Sequence, residues 1–514
     1  MVTIFLLLHG IFLIELSLDL LQARSQAGLS APELWRALEG SATMARGAAT
    51  SVSRAYNVLV SLLLSSIAIA VPLTANLYTP KLIDLFIRNR INVATLTFFV
   101  LSAAHSLWTT QATWDVGPLG PRGFYPRLSL WVTFETMMLG WSLLIPYFYF
   151  MFSFLNPSRI IARASAELTG AFERIPGTGD AALRRLQRHV DQWLLHLGNI
   201  TLRAVDRADR DVALDTIHAL ERVLDTYQAH KPALPAAWFE VAGEQFVGLS
   251  AAAVEIVRRE RTWVEHKGLH QLELAHNAAL AKMQDAISAV SDVNRRIACI
   301  AAAHGDEATL RLCVRYFNNF LREASKRKDA HAIFDVFQKY KELAHELFEG
   351  HSALTLAIAR HMAYYAELAR ISGLSFIYEL AAYDLGSVLE SVGERDPAIR
   401  AALVDLLLGF EALPGSVRLA KAQLIAGGYL QALGFLAEAA RVREHLAAAP
   451  RPLLEQAAQA LLQEQDPIFW EVTDRQLNID YVGAERQQAI REFLGRDLME
   501  GLGRPQPEGA PSLH

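Results

Sequence analysis

Every long apolar run in this chain falls before about residue 156, and the two-thirds that follow carry charge throughout. That asymmetry excludes a single water-soluble core and a wholly embedded bundle alike. With 52% hydrophobic and 20% charged residues, the composition suits neither state alone and suits a division between them. The sequence therefore predicts an all-α protein: a transmembrane helical domain over 1–156, a large cytoplasmic helical domain over 157–503, and a disordered Pro/Gly-rich tail over 504–514.

Four spans are expected. Met1 to Leu21 is apolar apart from His9, Glu15 and Asp19, and lacks the basic start and small-residue cleavage pattern of a secretory signal, so it reads as an uncleaved first span. From Tyr56 to Tyr78 about 23 uncharged residues follow, where roughly 20 suffice to cross the hydrocarbon core. Ile91–Thr110 supplies a third span, and Leu128–Leu155 a long fourth, whose Trp131, Trp141, Tyr147 and Tyr149 suit a tilted helix with interfacial aromatics. Lys81, Arg88 and Arg90 follow the second span. Arg159, Arg163, Arg174, Arg184, Arg185 and Arg188 follow the fourth. Both groups belong on the cytoplasmic side of a bacterial inner membrane, which also places the N-terminus inside. Arg24, Arg36, Arg46 and Arg54, accompanied by Glu33 and Glu39, oppose this topology. The far-side connection 111–127 holds three prolines and three glycines and reads as turn-rich.

Within the spans the polar residues recur at helical spacing. Ser61, Ser65, Ala68, Pro72 and Asn76 share one face of the second span; Asn92, Thr95, Ser102, Ser106 and Thr109 form a similar line on the third, with His105 beside it. Such faces turn from lipid, either toward a hydrated path or into ordinary small-residue helix packing. Pro72 is expected to kink its helix. Glu135 in the fourth span, and Glu15 and Asp19 in the first, are carboxylates at membrane depth or at its boundary. The pore-lining candidates are thus Ser61, Ser65, Pro72, Asn76, Thr95, Ser102, His105, Ser106 and Glu135.

The remainder reads as helix, with apolar residues at steps of three and four, as in Leu183, Leu186, Val190, Trp193, Leu194 and Leu197. Breaks fall at 176–180, 231–235, 305–306, Pro414 and 450–452. From about 305 to 465 they recur often enough to make successive helices antiparallel hairpins, either a solenoid of tetratricopeptide or HEAT kind or an irregular bundle. Candidate chemistry is sparse. His345 and Glu346 open an HExxE string, with Glu349 where a zinc-binding motif needs histidine, and a break at Gly350 separates His345 from His351 and His361. Cys299 and Cys313 read as buried thiols. No catalytic, cofactor or metal site is expected. A net charge of −5 offers no broad basic surface for nucleic acid. The runs Arg258–Arg261 and Ser325–Lys328 read as solvated faces.

The stretch LTANLYTPKLIDLFIRNRINVATLTFFVLSAAHSLW, with Thr79, Pro80, Lys81, Leu82, Phe86 and Arg90 at matching positions, resembles a bacterial family of predicted membrane proteins of unknown function (domain of unknown function 2254). Gly40 to Arg46 is similar to a segment that the family keeps outside the membrane. Asn89 stands where members often have Asp, and Lys81 replaces the usual Arg. The likeness covers 40–165 and implies the four-span arrangement and no activity. Two function classes follow from the residues. Membrane-embedded copies assemble as a homo-oligomeric ion or small-solute channel gated by the helical domain, the reading an unexplained polar stripe favours. Alternatively the spans anchor a helical scaffold or sensor that recruits cytoplasmic proteins.

Overall fold

The computed structural model describes residues 42–77, 89–112, 127–246, 248–411, 416–467 and 478–502. All regular structure among them is helical. The first expected span, the loop residues 113–126, the motif residues Thr79, Pro80, Lys81, Leu82 and Phe86, and the tail 504–514 lie outside the described residues. The chain divides after Ile160 into two units.

Three helices make up the described part of the first unit: α1 (Ala42–Leu77), α2 (Arg90–Gln111) and α3 (Arg127–Leu155). Each contains a stretch long and apolar enough to cross a membrane, Arg46–Ile69, Arg90–Gln111 and Leu128–Ser153. Helix α1 begins at Ala42, well ahead of Tyr56, so the helix that carries the second expected span is longer than its apolar run. Asn89 starts α2 by accepting the Ile91 amide at 2.9 Å, a use of the side chain that the motif's usual Asp would share. The three helices pack together through Val52, Tyr56, Leu59 and Leu63 of α1, Phe99 of α2 and Tyr147 of α3. Spacings of four, three and four put the α1 residues on one stripe. Gly140 brings α3 close, since a Cβ there would lie 3.3 Å from the Phe99 ring. Outside this core the helices expose Val58, Leu62, Ile69, Leu101, Trp108, Trp131, Ile145 and Phe152. An apolar surface of that extent has lipid as its natural solvent.

Helix α4 (Pro157–Arg174) follows Asn156 directly, and the division falls within its first turn. Then come α5 (Asp180–Asp206), α6 (Arg210–His230), a segment of three short 3₁₀ turns, and α7 (Ala251–Arg259). The rest of the unit consists of α8 (Trp263–Ala279), α9 (Gln284–Ala303), α10 (Glu307–Arg327), α11 (Ala330–Ile371), α12 (Ser375–Val392), α13 (Pro397–Leu408), α14 (Val417–Ala432), α15 (Leu436–Ala447), α16 (Arg451–Gln463) and α17 (Ala484–Leu502). Helix α11 is two helices joined at His351, whose φ of −138° and ψ of 44° break it one residue beyond Gly350.

These helices stack as hairpins. In the pairs α5/α6, α8/α9 and α10 with the first half of α11, each first helix packs on the next first helix and each second on the next second. First helices begin at Trp263, at Glu307, just past His351 and at Pro397, a spacing of roughly 45 residues that falls in the range of HEAT-type repeats. Close contacts between consecutive hairpins need glycine: a Cβ on Gly198 of α5 would overlap Gln271 of α8, and one on Gly268 of α8 would come within 2.9 Å of Leu224 of α6. The solenoid alternative is the arrangement found from α5 to α12. Further on, α14 packs against α12, α15, α16 and α17, and the regular alternation ends.

One turn recurs between the stacked helices. The amides of Asp209, Asp306 and Asp329 donate to the carbonyls of Ala204, Ala301 and Ala324, five residues back, at 2.9, 2.8 and 3.0 Å. The residue before each aspartate, Ala208, Gly305 or Lys328, has a left-handed φ of 56°, 69° or 55°. Each aspartate then caps the next helix, accepting from the amides of Val212, Thr309 and Ala332. A single residue thus ends one helix and starts another.

Candidate functional site

The polar residues of α2 and α3 meet one another. Ser102, Ser106 and Thr109 are buried on α2, and Thr133 on α3. The Thr133 hydroxyl lies 3.2 Å from His105 Nδ1 and 3.3 Å from Thr109 Oγ1, and donates to the Ser129 carbonyl at 2.7 Å. Ser106 Oγ donates to the Ala103 carbonyl at 2.7 Å and Thr109 Oγ1 to the His105 carbonyl at 3.0 Å. Hydroxyls that turn back onto their own helix satisfy themselves at membrane depth without water. One turn from the N-terminus of α2, buried Asn92 accepts a 2.6 Å hydrogen bond from the Tyr147 hydroxyl of α3. Tyr147 therefore belongs to the helix-helix contact, in place of the interfacial belt its position in the sequence suggested. Tyr56 of α1 is wholly buried, its hydroxyl beside Ser102 and Thr136.

The sequence-derived stripe accordingly separates into two faces. On α2, Ser102 and Ser106 point into the three-helix contact, with Thr95 and His105 half-buried. On α1, Ser61, Ser65 and Ala68 are exposed, while the opposite stripe through Tyr56 and Leu63 is buried. Pro72 and Asn76 fall in the last turns of α1, where side chains are outside the described detail, and the expected kink at Pro72 with them. Glu135 is half-buried on α3 and has an interaction partner; Arg90, of the motif, is exposed at the start of α2. Tyr56, Thr133 and Tyr147 complete the cluster. Their signal in the sequence is a hydroxyl on each of the two spans that flank the α2 line.

In the second unit a buried polar cluster lies at the α6–α8–α10 junction. Lys231 pairs with Glu265 and, at 2.5 Å, with Asp306; Gln228 donates to Glu265 at 2.8 Å, and Thr309 donates to Asp306 at 2.7 Å. Burial pushes the Glu265 carboxyl above its ordinary range, against the pull of Lys231. Asp306, less enclosed and bonded to Lys231 and Thr309, is held below its own. The ammonium fixes two carboxylates of neighbouring hairpins, so the cluster is a structural pin. Beneath it Trp263 Nε1 donates to the Trp238 carbonyl at 3.0 Å, and Trp238 Nε1 to the Tyr227 hydroxyl at 3.1 Å.

The HExxE string is drawn into a different network. Arg295 pairs with Glu346 and with Asp292, and Cys299 Sγ donates to Glu346 at 2.8 Å. Burial and that carboxylate push the Cys299 thiol up to about 12, which leaves it protonated and unreactive at neutral pH. Cys313 is wholly buried and its thiol is also raised. His351 pairs with Glu307 at 2.8 Å, across the repeat from His345, while His361 faces Tyr340 and Asn318 at 3.0 and 3.2 Å. His351 and His361 thus serve separate contacts, and the buried Nε2 of His345 bonds to neither. Among the described residues no group of His, Cys, Asp or Glu is spaced to hold a metal ion.

No curated protein and no solved structure matches the chain significantly. A family match begins at the first residue and extends past α3 and α4 into α5, wider than the stretch 40–165 that carries the likeness in the sequence. Residues 1–197 match the family model described as predicted membrane protein (DUF2254), the same family that the sequence around Thr79 to Arg90 resembles.

Proposed function

We propose that this membrane protein is an anchored scaffold, in which the spans hold a stack of helical hairpins at the cytoplasmic face of a bacterial inner membrane and the stack recruits a protein partner. The observation that carries this reading is the inward turn of the α2 polar line: Ser102, Ser106 and Thr109 are buried, and Ser106 and Thr109 bond to carbonyls of their own helix. A line satisfied in this way has no need of a hydrated path. The hairpin stack supplies what recruitment requires, an extended surface formed by successive first helices. The arginines just past α3, Arg159 and Arg163, favour the cytoplasmic side for that surface.

The channel is the second reading, and one feature favours it. Ser61, Ser65 and Ala68 are exposed on α1, and several copies placed with that face inward would give a polar lining. A flux assay with the full chain in liposomes, beside purification of the chain with its soluble partners, separates the two. The scaffold predicts silent liposomes, no effect of Ser65→Leu on partner recovery, and a soluble protein recovered in fixed proportion. A conductance that changes in Ser65→Leu or Asn76→Leu would sink it.

A further inference from the structure

A groove of about 380 Å³ lies between α7 and α10, within the size range of built ligand sites. One wall is α7, which presents Ile256 and Val257; the other is α10, which presents Leu312 and Tyr316. Residues 312, 315, 316, 319 and 322 follow one face of α10 at helical spacing, so its apolar floor continues into a polar rim of Arg315, Asn319 and Arg322. Both guanidiniums are exposed, and Asn319 is half-buried.

The groove already accommodates one carboxylate. Glu260, at the end of α7, reaches Arg315 at 3.6 Å and joins the two walls. Arg315 keeps half of its side chain exposed in that pairing, so the guanidinium has further donors to offer. Arg322 lies about two turns along, beside the Tyr365 hydroxyl of the next hairpin. Two forked cations about two turns apart, above an apolar floor, match a chain that alternates carboxylate and apolar side chains; a lone small anion would leave the floor empty. We infer that this groove binds an acidic, apolar-interleaved peptide segment of a partner protein, with its carboxylates on Arg315 and Arg322 and its apolar side chains on Ile256 and Leu312. This rests on the scaffold reading and names the class of its partner. Exposed ion pairs contribute little energy each, so the floor supplies most of the affinity and the arginines the preference for acidic sequence.

The test uses the full chain in nanodiscs of neutral phospholipid, with empty discs subtracted, and fluorescence anisotropy. The probe is a short fluorescein-labelled peptide alternating leucine and glutamate, blocked at both ends, beside a counterpart with lysine for glutamate. Saturable binding of the acidic peptide alone is expected, weakened roughly tenfold or more in the double variant Arg315→Glu/Arg322→Glu. Ile256→Asp, which alters the floor and leaves the arginines in place, should weaken it as well. Thermal unfolding of each variant confirms that the fold persists. Equal binding of both peptides, binding indifferent to the double variant, or none at all would overturn the inference. Arginine-dependent binding upholds the groove even where no soluble partner co-purifies, a result that would remove only the scaffold. A partner whose recovery survives the double charge reversal, with no peptide binding, leaves the scaffold standing and removes the groove.

Discussion

His276 is wholly buried in α8, its ring stacked on Phe320 at a centroid distance of 4.7 Å. Burial lowers its pKa from the ordinary 6.5 to about 4. The folded state therefore favours the neutral ring: its contribution is fully present above pH 6.5 and is lost as pH falls toward 4. By linkage, that shift removes about 2–3 kcal/mol of stability by pH 4.5. His266, also held at about 4 chiefly by burial, acts in the same direction. His276→Phe keeps the stack on Phe320 and removes the titration, so its urea midpoint should fall less between pH 7 and pH 4.5 than that of the wild type. A parallel fall in both proteins would refute the assignment. Steric demand is as local as charge. Gly428 of α14 faces α17, where an added Cβ would come within 2.7 Å of the Ile490 side chain and 3.1 Å of its backbone nitrogen. Backbone cannot rotate aside, so Gly428→Ala should cost about 1–3 kcal/mol by overpacking. Limited proteolysis should then cut between α16 and α17 faster than in the wild type.

At the scale of elements, the recurring turn explains both what the sequence reveals of the stack and what it hides. Helices and their breaks are legible because Gly305–Asp306 and the 231–235 segment punctuate apolar runs of period 3.6. The repeat is not, because two of the three left-handed positions are held by Ala208 and Lys328. A search for glycine at fixed spacing passes over them. The residues 231–262 also widen one interval of the stack, which blurs its period. The better signal is an alanine five residues before a capping aspartate, at Ala204/Asp209, Ala301/Asp306 and Ala324/Asp329. Two predictions belong here. Lys328→Gly relieves the left-handed strain of an L-residue and should raise stability, by up to about 1 kcal/mol. Asp329→Ala should lower it by about 1–2 kcal/mol, since that side chain caps α11 at the Ala332 amide and also accepts from the Ala281 amide of the neighbouring hairpin at 2.8 Å. Thermal unfolding of the two variants checks both, and shifts of the same sign would contradict this account of the turn.

For the whole molecule, hydropathy alone marks the three candidate spans among the described residues but not their facing. A polar line at helical spacing looks the same whether it meets water or another helix. What decided its direction on α2 was Thr133 and Tyr147, hydroxyls on a different span, and no periodicity within one helix can report a partner 28 or 55 residues away. Helix α3 ends at Leu155 and the chain turns amphipathic at Pro157, a change that periodicity and charge both mark in the sequence. Helix α4 belongs energetically with the hairpin stack. Leu168, Ala171 and Phe172 are wholly buried, and the Phe172 ring lies 5.0 Å from Tyr227 of α6. A fragment that begins at Asn156 should unfold in one cooperative step in urea, whereas one that begins at Thr178 loses the cover over Tyr227 and should unfold at a lower midpoint. Within the longer fragment, Phe172→Ala should reproduce much of that loss, about 3–5 kcal/mol for a buried aromatic cut back to a methyl. If both fragments share one midpoint, α4 contributes nothing to the stability of the stack, and the cover it places over Tyr227 is energetically idle.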